Sequence, residues 1–213
     1  MKGLLLKDIY NLRKVSRQYL LILLFFTLYC FFLKNPTFFP MMTILSFSML
    51  ILTSLGYDEA VSFDKYALTL PVCREDLVRT KYVMFLLLLG TGSVIGMLGN
   101  LTINFLIPDV ESLAEQLVSI LSVVAVFLIV FSTMLPLVFK MGVEKARMLL
   151  MVCYIAIFGV IYLGITLMKK LNLEDILTEP MMIGLAIGGI VLAVLYVFAS
   201  YCMSVRIIRK REW

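Results

Sequence analysis

The stretch that decides the fold is a polar interruption at residues 63–82, FDKYALTLPVCREDLVRTKY. It overlaps a segment, residues 58–81, that holds nine of the chain's 33 charged residues. The whole chain is 62% hydrophobic and 15% charged, whereas soluble domains carry about 25% charged residues. Its mean hydropathy is +1.02. A concentrated polar segment between long apolar runs indicates an integral membrane protein whose 58–81 segment lies in water.

The apolar runs predict six transmembrane helices. About 20 apolar residues cross the hydrocarbon core as a helix, and the runs are continuously apolar, without the alternation of a membrane β-barrel. The shortest is the first, which Arg17 and Lys34 can complete by extending toward the headgroups. The predicted fold is a single all-α transmembrane domain over residues 1–213, with spans at about 18–34, 37–57, 82–107, 116–139, 148–168 and 181–205.

The N-terminal segment, residues 1–17, is predicted to be an interfacial amphipathic helix. It is basic, but it has neither the apolar core nor the small-residue cleavage site of a signal peptide. Leu5, Ile9 and Leu12 share one helical face, a pattern typical of a helix in the headgroup plane. A plain basic tail before the first span is the alternative.

Charge asymmetry predicts the orientation. With six spans both termini lie on one side, together with the loops at 58–81 and 140–147, and that side holds 16 of the 19 Lys and Arg residues. The other side holds only Lys34, Lys169 and Lys170. Since basic loops stay in the cytoplasm, the termini and both polar loops are predicted to be cytoplasmic. The 140–147 loop is expected to meet lipid headgroups rather than to brace the 58–81 segment.

Several kinds of chemistry have no residues to support them. The chain has no histidine, which excludes histidine-based hydrolysis and histidine-ligated zinc, and it has no G-x-x-x-x-G-K-[ST] phosphate loop. Its four cysteines have no metal or redox spacing, and the apolar runs contain no ionisable group of the kind that marks ion pathways. We therefore predict a non-catalytic protein with no metal or cofactor of its own and no nucleic-acid partner.

Small and amide residues form a stripe along one face of the third predicted span. Gly92, Gly96, Asn100 and Asn104 recur at every fourth position, so they lie near one face of a helix. Small residues let helices approach closely, and buried amides need hydrogen-bond partners. Packing within the bundle or at a dimer interface is the favoured interpretation, and a lining for an amphipathic cargo is the alternative. In the fourth span, Pro136 is predicted to kink or end the helix.

Two short amphipathic helices are predicted between the second and third spans. Phe63, Tyr66 and Leu70 share one face of the first helix, which Pro71 ends. The second begins after Cys73. Residues 58–81 include five acidic and four basic residues, and mixed charge favours a protein partner over a membrane surface. A solvated connector is the alternative.

Three stretches carry a family resemblance. They are LLLKDIYNLRK at 4–14, DEAVSFDKYALTLPVCREDLVRTKY at 58–82 and LPLVFKMGVEKAR at 135–147. They resemble the small type 2 ATP-binding-cassette exporter permeases, above all the bacterial group with phenol-soluble-modulin and bacteriocin-type peptide exporters. This chain departs from the family pattern at Cys73, where the family has Ser or Thr as a helix cap. The weaker cap lowers the stability of the helix by ~1 kcal/mol or less.

The resemblance implies a permease in the bacterial plasma membrane that pairs with a second copy or a related permease. A separate ATPase subunit would bind ATP and Mg²⁺, and the cargo would be amphipathic peptides or related hydrophobic compounds. The 58–81 segment would be the coupling helix that docks to the ATPase. The implied docking residues are Asp58, Glu59, Phe63, Asp64, Tyr66, Leu70, Pro71, Arg74, Glu75 and Asp76.

Two other functions fit a six-span membrane protein. One is a substrate-capturing subunit of an energy-coupling-factor-type uptake system, which binds its ligand from the outside. The predicted outer loops, at 108–115 and 169–179, are short, which argues against capture. The other is a membrane sensor or assembly protein without transport activity.

Overall fold

The computed structural model describes residues 2–33, 38–67, 73–106, 113–149, 151–152, 155, 166 and 179–210. Within these ranges the chain is helical apart from short turns, and no strand occurs. Residues 143–149 form one short helical stretch. The other helices are α1 (Lys2–Arg13), α2 (Ser16–Leu33), α3 (Phe38–Ala60), α4 (Phe63–Ala67), α5 (Arg74–Leu106), α6 (Leu113–Met141) and α7 (Glu179–Lys210).

Four helices are long and apolar enough to cross a membrane. They coincide with the second, third, fourth and sixth predicted spans, and the candidate spans are Phe38–Ala60, Arg74–Ile103, Gln116–Met141 and Gly188–Lys210. In α2 the apolar part, Arg17–Cys30, is shorter. The predicted fifth span lies mostly outside the described residues, so a total of six spans stays a prediction.

The helices pack in two close pairs, α3 with α5 and α6 with α7, and α5 also contacts α7. Phe85 of α5 and Phe131 of α6 are both almost fully buried, and their rings stack with centroids 5.8 Å apart. Because lipid is as apolar as these side chains, the stabilisation in a membrane comes from close packing rather than from removal of apolar area from water. This buried ring pair therefore joins α5 to α6.

Two glycines of the predicted stripe lie at the contact between α3 and α5. A Cβ atom added to Gly92 would be 2.8 Å from the Cβ of Phe47, and one added to Gly96 would be 2.9 Å from the Cα of Pro40. Both distances are too short for real carbon contacts, so only glycine allows this approach of the two backbones. Gly92 and Gly96 thus face a helix of the same chain.

Helix α6 continues through Pro136 to Met141, so it does not end at this proline. Proline has no N–H to bond the carbonyl of Ser132 one turn earlier. The Ser200 hydroxyl of α7 donates to that carbonyl instead. The same hydroxyl lies 2.6 Å from the Tyr82 hydroxyl of α5. A neighbouring serine can satisfy a carbonyl freed by proline in a membrane, and here it also joins three helices.

The second predicted amphipathic helix is not a separate element, and this prediction is wrong. Helix α5 begins at Arg74, directly after Cys73, and runs without a break through the predicted third span. No Gly or Pro occurs between Arg74 and Gly90, so nothing in the sequence ends the helix there. The end of the polar segment and the third span therefore form one continuous helix.

Candidate functional site

Four charged side chains meet where α1, α3 and α5 converge: Lys7, Asp8, Asp58 and Lys81, which we call the ion cluster. The Lys81 Nζ lies 2.9 Å from both carboxylate oxygens of Asp8 and 2.6 Å from Oδ2 of Asp58. It also donates to the Ser54 hydroxyl at 3.0 Å. Because an ammonium has three protons, these three partners satisfy Lys81 completely.

The ion cluster is buried and electrically balanced. Asp8, Asp58 and Lys81 are 0%, 6% and 7% exposed, and Lys7 closes the group with its Nζ 2.5 Å from Oδ1 of Asp58. Two positive charges therefore face two negative charges. A buried charge without a partner costs several kcal/mol, so each of the three helices stabilises the charges that the others carry.

Helix α1 reaches the cluster through a face that differs from the predicted one. Leu5 and Asp8 lie on the side turned toward the protein together with Leu12, which is buried in the main core. Ile9, which was grouped with Leu5 and Leu12, is exposed together with Leu6. The predicted helix forms, but its contact with α3 and α5 means that it does not lie on headgroups alone.

A second contact ties the 140–147 loop to the end of α3. Glu59 Oε2 accepts a hydrogen bond of 2.6 Å from the backbone N–H of Val143, at the start of the helical stretch 143–149. Gly142 has a positive φ of 87°, and an added Cβ would be 2.5 Å from Glu59 Oε1. This contact supports the less favoured of the two expected roles, in which the loop braces the 58–81 segment.

A small cavity of about 70 Å³ lies beside the ion cluster. Its lining includes Lys7, Asp58 and Lys81 of the cluster, and Phe63 of α4. It has room for water molecules but not for a transported peptide. Among the residues that the structure describes, no group of His, Cys, Asp or Glu side chains has an arrangement that could hold a metal ion.

The predicted docking residues at the start of the segment have partners within the chain. Asp58 belongs to the ion cluster, and Glu59 holds Val143. The ring of Phe63 lies under Lys7, with the Nζ 3.4 Å from the ring centroid, a cation–π contact. Next to it Tyr66 is 60% exposed.

The later docking residues lie at the start of α5. Arg74 and Glu75 are exposed, and Asp76 is half-buried. Cys73, which is not one of the predicted docking residues, lies directly before α5 and is also exposed. The Glu75 carboxylate accepts hydrogen bonds from Arg209 of α7. The side chain of Asp64, and the whole of Leu70 and Pro71, lie outside the described residues. From the exposed residues of the segment we select Tyr66, Cys73, Arg74 and Glu75, which we call the segment surface.

The amide stripe of the third span turns inward at Asn100. This side chain is 2% exposed, and its Nδ2 donates to Gln116 Oε1 of α6 at 3.3 Å. Asn100 thus joins α5 to α6 within one chain. The side chain of Asn104 lies outside the described residues.

Sequence reasoning missed the role of Asp8 and Lys81. One signal was available for Asp8, which is the only acidic residue in the N-terminal segment 1–17. An acidic side chain at the same helical spacing as Leu5 and Leu12 indicates a buried partner, but the partner lies 73 residues away along the chain. Nothing in the local pattern of Lys81 identifies that contact.

Residues 3–209 match the sequence profile of the family described as ABC-2 family transporter protein. The chain belongs to the ABC-2 transporter family. It is the membrane-spanning permease subunit of an ABC transporter, a kind of subunit that is generally non-catalytic and works with an ATPase subunit. No curated protein and no solved structure gives a significant match to the chain.

For an ABC-2 permease, the ion cluster has a mechanical consequence. It joins α1, α3 and α5 at the point where the polar segment meets the membrane helices, and α5 carries this joint onward as one continuous helix. A force applied to the segment surface therefore reaches α3 and α5 together.

Proposed function

We propose that this chain is the pathway-forming permease of an ATP-driven exporter, acting as a dimer in the bacterial plasma membrane with six spans and cytoplasmic termini. ATP and Mg²⁺ are bound by the ATPase subunits, which dock on the 58–81 segment. The observation that carries the proposal is the buried ion cluster, which fastens this segment to the membrane helices. Membership of the ABC-2 family favours it over uptake-type capture or sensing.

The docking step assigns contact with the ATPase to the segment surface. Tyr66 offers an aromatic ring, while Arg74 and Glu75 offer charges of both signs. Aromatic and arginine residues are enriched where protein interfaces are strongest. Asp58 and Glu59 are left out of this surface because Asp58 is buried in the ion cluster and Glu59 binds the backbone of Val143; their role is to hold the segment in place. The pair that Glu75 forms with Arg209 is exposed, so Glu75 stays on the surface.

The transmission step uses the rigidity of α5. A helix with all its backbone hydrogen bonds resists bending when it contains no Pro or Gly, and α5 has neither between Arg74 and Gly90. Closure of the ATPase subunits on ATP would displace the start of α5, and Lys81 would carry α1 and α3 with it. Alternating access between two copies follows if these helices tilt as one unit.

The export direction and cargo rest on the resemblance to exporter permeases. The predicted cytoplasmic side carries 16 of the 19 basic residues, which supports an ATPase site inside the cell. The predicted spans carry almost no charge, which suits a hydrophobic cargo, and the resemblance to peptide exporter permeases favours amphipathic peptides or related hydrophobic compounds. Export of such cargo is the proposed activity.

The test is co-purification of the ATPase subunit from native membranes. The double variant Tyr66→Asp and Arg74→Glu should lose most of the ATPase, because it replaces an aromatic contact and reverses a charge on the segment surface. The matched control is Tyr10→Asp with Arg206→Glu, which makes the same changes at exposed positions of α1 and α7. Equal retention of ATPase by both variants would contradict the docking assignment.

A further inference from the structure

A second, larger opening lies between α6 and α7, a groove of about 720 Å³. Binding sites for small molecules typically enclose about 300–1,000 Å³. The wall is mostly apolar, with Leu137 on α6 and Met203 and Ile207 on α7. Among the described residues, none of the ion cluster and none of the predicted docking residues lines it, so the groove is separate from the ion cluster and the segment surface.

Two lysines stand at the same end of the groove. Lys140 lies in the last turn of α6 and Lys210 is the final residue of α7, and both line the opening. Both side chains are exposed. Among the described residues neither lysine forms an ion pair, and no acidic side chain lines the groove. This end is therefore positive and attracts an anion.

One wall of the groove, on α7, is about as long as one leaflet of a bilayer is thick, while the α6 wall covers only Thr133 to Lys140. Its α7 wall extends from Tyr196 to Lys210, a helical rise of about 21 Å. Half of a bilayer, headgroups included, is about 20–22 Å thick. With the lysines at headgroup depth, the apolar wall runs along the region of the acyl chains.

We propose that this groove binds an anionic phospholipid. The lipid phosphate lies between Lys140 and Lys210, and an acyl chain packs against Leu137 and Met203. Basic pockets between membrane helices bind anionic headgroups in this way. Helix α7 is also the least buried of the four candidate spans, with 17% of its apolar window buried, as a wall that faces lipid requires. A cationic amphipathic peptide would be repelled by the two lysines.

The test is a titration of the purified full chain in detergent with phosphatidylglycerol, followed by native mass spectrometry. Each lysine near an anionic headgroup contributes a factor of about five, so Lys140→Gln with Lys210→Gln should weaken binding about 25-fold. The control Lys145→Gln with Arg206→Gln removes the same charge outside the groove and should stay within about twofold of wild type. Equal loss in both variants, or equal binding of phosphatidylcholine by wild type, would overturn the proposal.

A second variant tests the apolar wall of the groove while keeping both lysines. Ala199→Trp places a large ring on the groove wall and keeps both lysines, so phosphatidylglycerol binding should fall about tenfold or more. A synthetic cationic amphipathic peptide serves as the competing probe. If the wild-type chain binds this peptide and Ala199→Trp abolishes only that binding, the groove is a cargo site and the lipid assignment is wrong.

Discussion

The two ends of the α3–α5 pair are held together by opposite means. At one end Lys81 of α5 binds Asp58 and Ser54 of α3, with Asp8 of α1 as a further partner. At the other end Gly92 and Gly96 bring the backbone of α5 against α3 without any side chain between them. Ion pairs hold the two helices together at the first end, and close backbone contact at the glycines holds them together at the second.

The difference between these two contacts indicates which end of the α3–α5 pair can change its geometry more easily. An ion pair buried in a low dielectric is directional and fails when any partner is lost. A contact between glycines and an apolar helix face has no such partner, so small tilts change its distances without breaking a bond. We therefore expect the glycine end to act as a pivot and the ion-cluster end to receive the force from the ATPase.

The largest expected effect comes from breaking the charged end. Lys81→Met leaves Asp8 and Asp58 buried with only Lys7 for compensation, which should destabilise the protein by about 3–5 kcal/mol. Thermal unfolding in detergent measures this loss. Arg209→Met, which removes an exposed cation, is the control, and an equal effect of both would show that the ion cluster is not buried as described.

A further variant removes the acidic partners of Lys81 together with Lys81 itself, which should restore most of the lost stability. In the triple variant Asp8→Asn, Asp58→Asn and Lys81→Met the cluster loses two acidic groups and one basic group together. Most of the stability lost by Lys81→Met should return, because no buried carboxylate remains. A triple variant as unstable as Lys81→Met would show that packing rather than charge sets the cost.

The glycine end should respond to volume instead of charge. Gly96→Leu forces a side chain against the backbone of Pro40, where even a Cβ would be 2.9 Å from Cα, and should cost about 2–3 kcal/mol. The matched control is Gly90→Leu on the same helix, where nothing lies within 4 Å of an added Cβ. If the two variants unfold at the same temperature, the close contact of α3 and α5 is absent.

A smaller effect is expected where the 140–147 loop meets the charged end. Gly142→Ala places a Cβ in the left-handed region, at a cost of about 1–2 kcal/mol, and pushes Glu59 from the backbone of Val143. Gly3→Ala, which has open space around it, serves as the control. Unfolding that is unchanged by Gly142→Ala would contradict the brace between the loop and α3.

The smallest effect is expected for the exposed ion pair between Glu75 and Arg209. Their side chains are 50% and 64% exposed, so water and salt screen most of the attraction. Glu75→Gln should lower the free energy of unfolding by about 0.5 kcal/mol or less. A loss above about 2 kcal/mol would show that this pair belongs to a buried network like that of Lys81.

The sequence predicts what depends on local pattern. Continuous apolar runs indicate the membrane helices, because hydrocarbon excludes charge over a whole crossing, and Cys73 marks the point after which α5 begins. The lack of Gly and Pro between Arg74 and Gly90 also indicates that α5 is continuous. Pro71 and the charged residues nevertheless led to the prediction of two separate short helices.

Contacts between distant residues were not predictable in this way. Asp8 and Lys81 are 73 residues apart, and Glu59 and Val143 are 84 apart. Helical periodicity says which residues share a face but not which helix that face meets. The stripe from Gly92 to Asn100 therefore left cargo and packing both open, and only the contacts with Pro40 and Gln116 place it inside the bundle.

The central claim is that the 58–81 segment is held by an ATPase subunit, and cross-linking from Cys73 tests it most directly. Cys73 and Cys202 are both exposed free thiols, on the segment surface and on α7. Two chains that each retain one of these cysteines, with all other cysteines changed to serine, would be treated with a thiol-to-amine cross-linker in native membranes. We predict that the Cys73 chain captures an ATP-binding-cassette ATPase and that the Cys202 chain does not; capture by neither chain, or by Cys202 alone, would contradict the account.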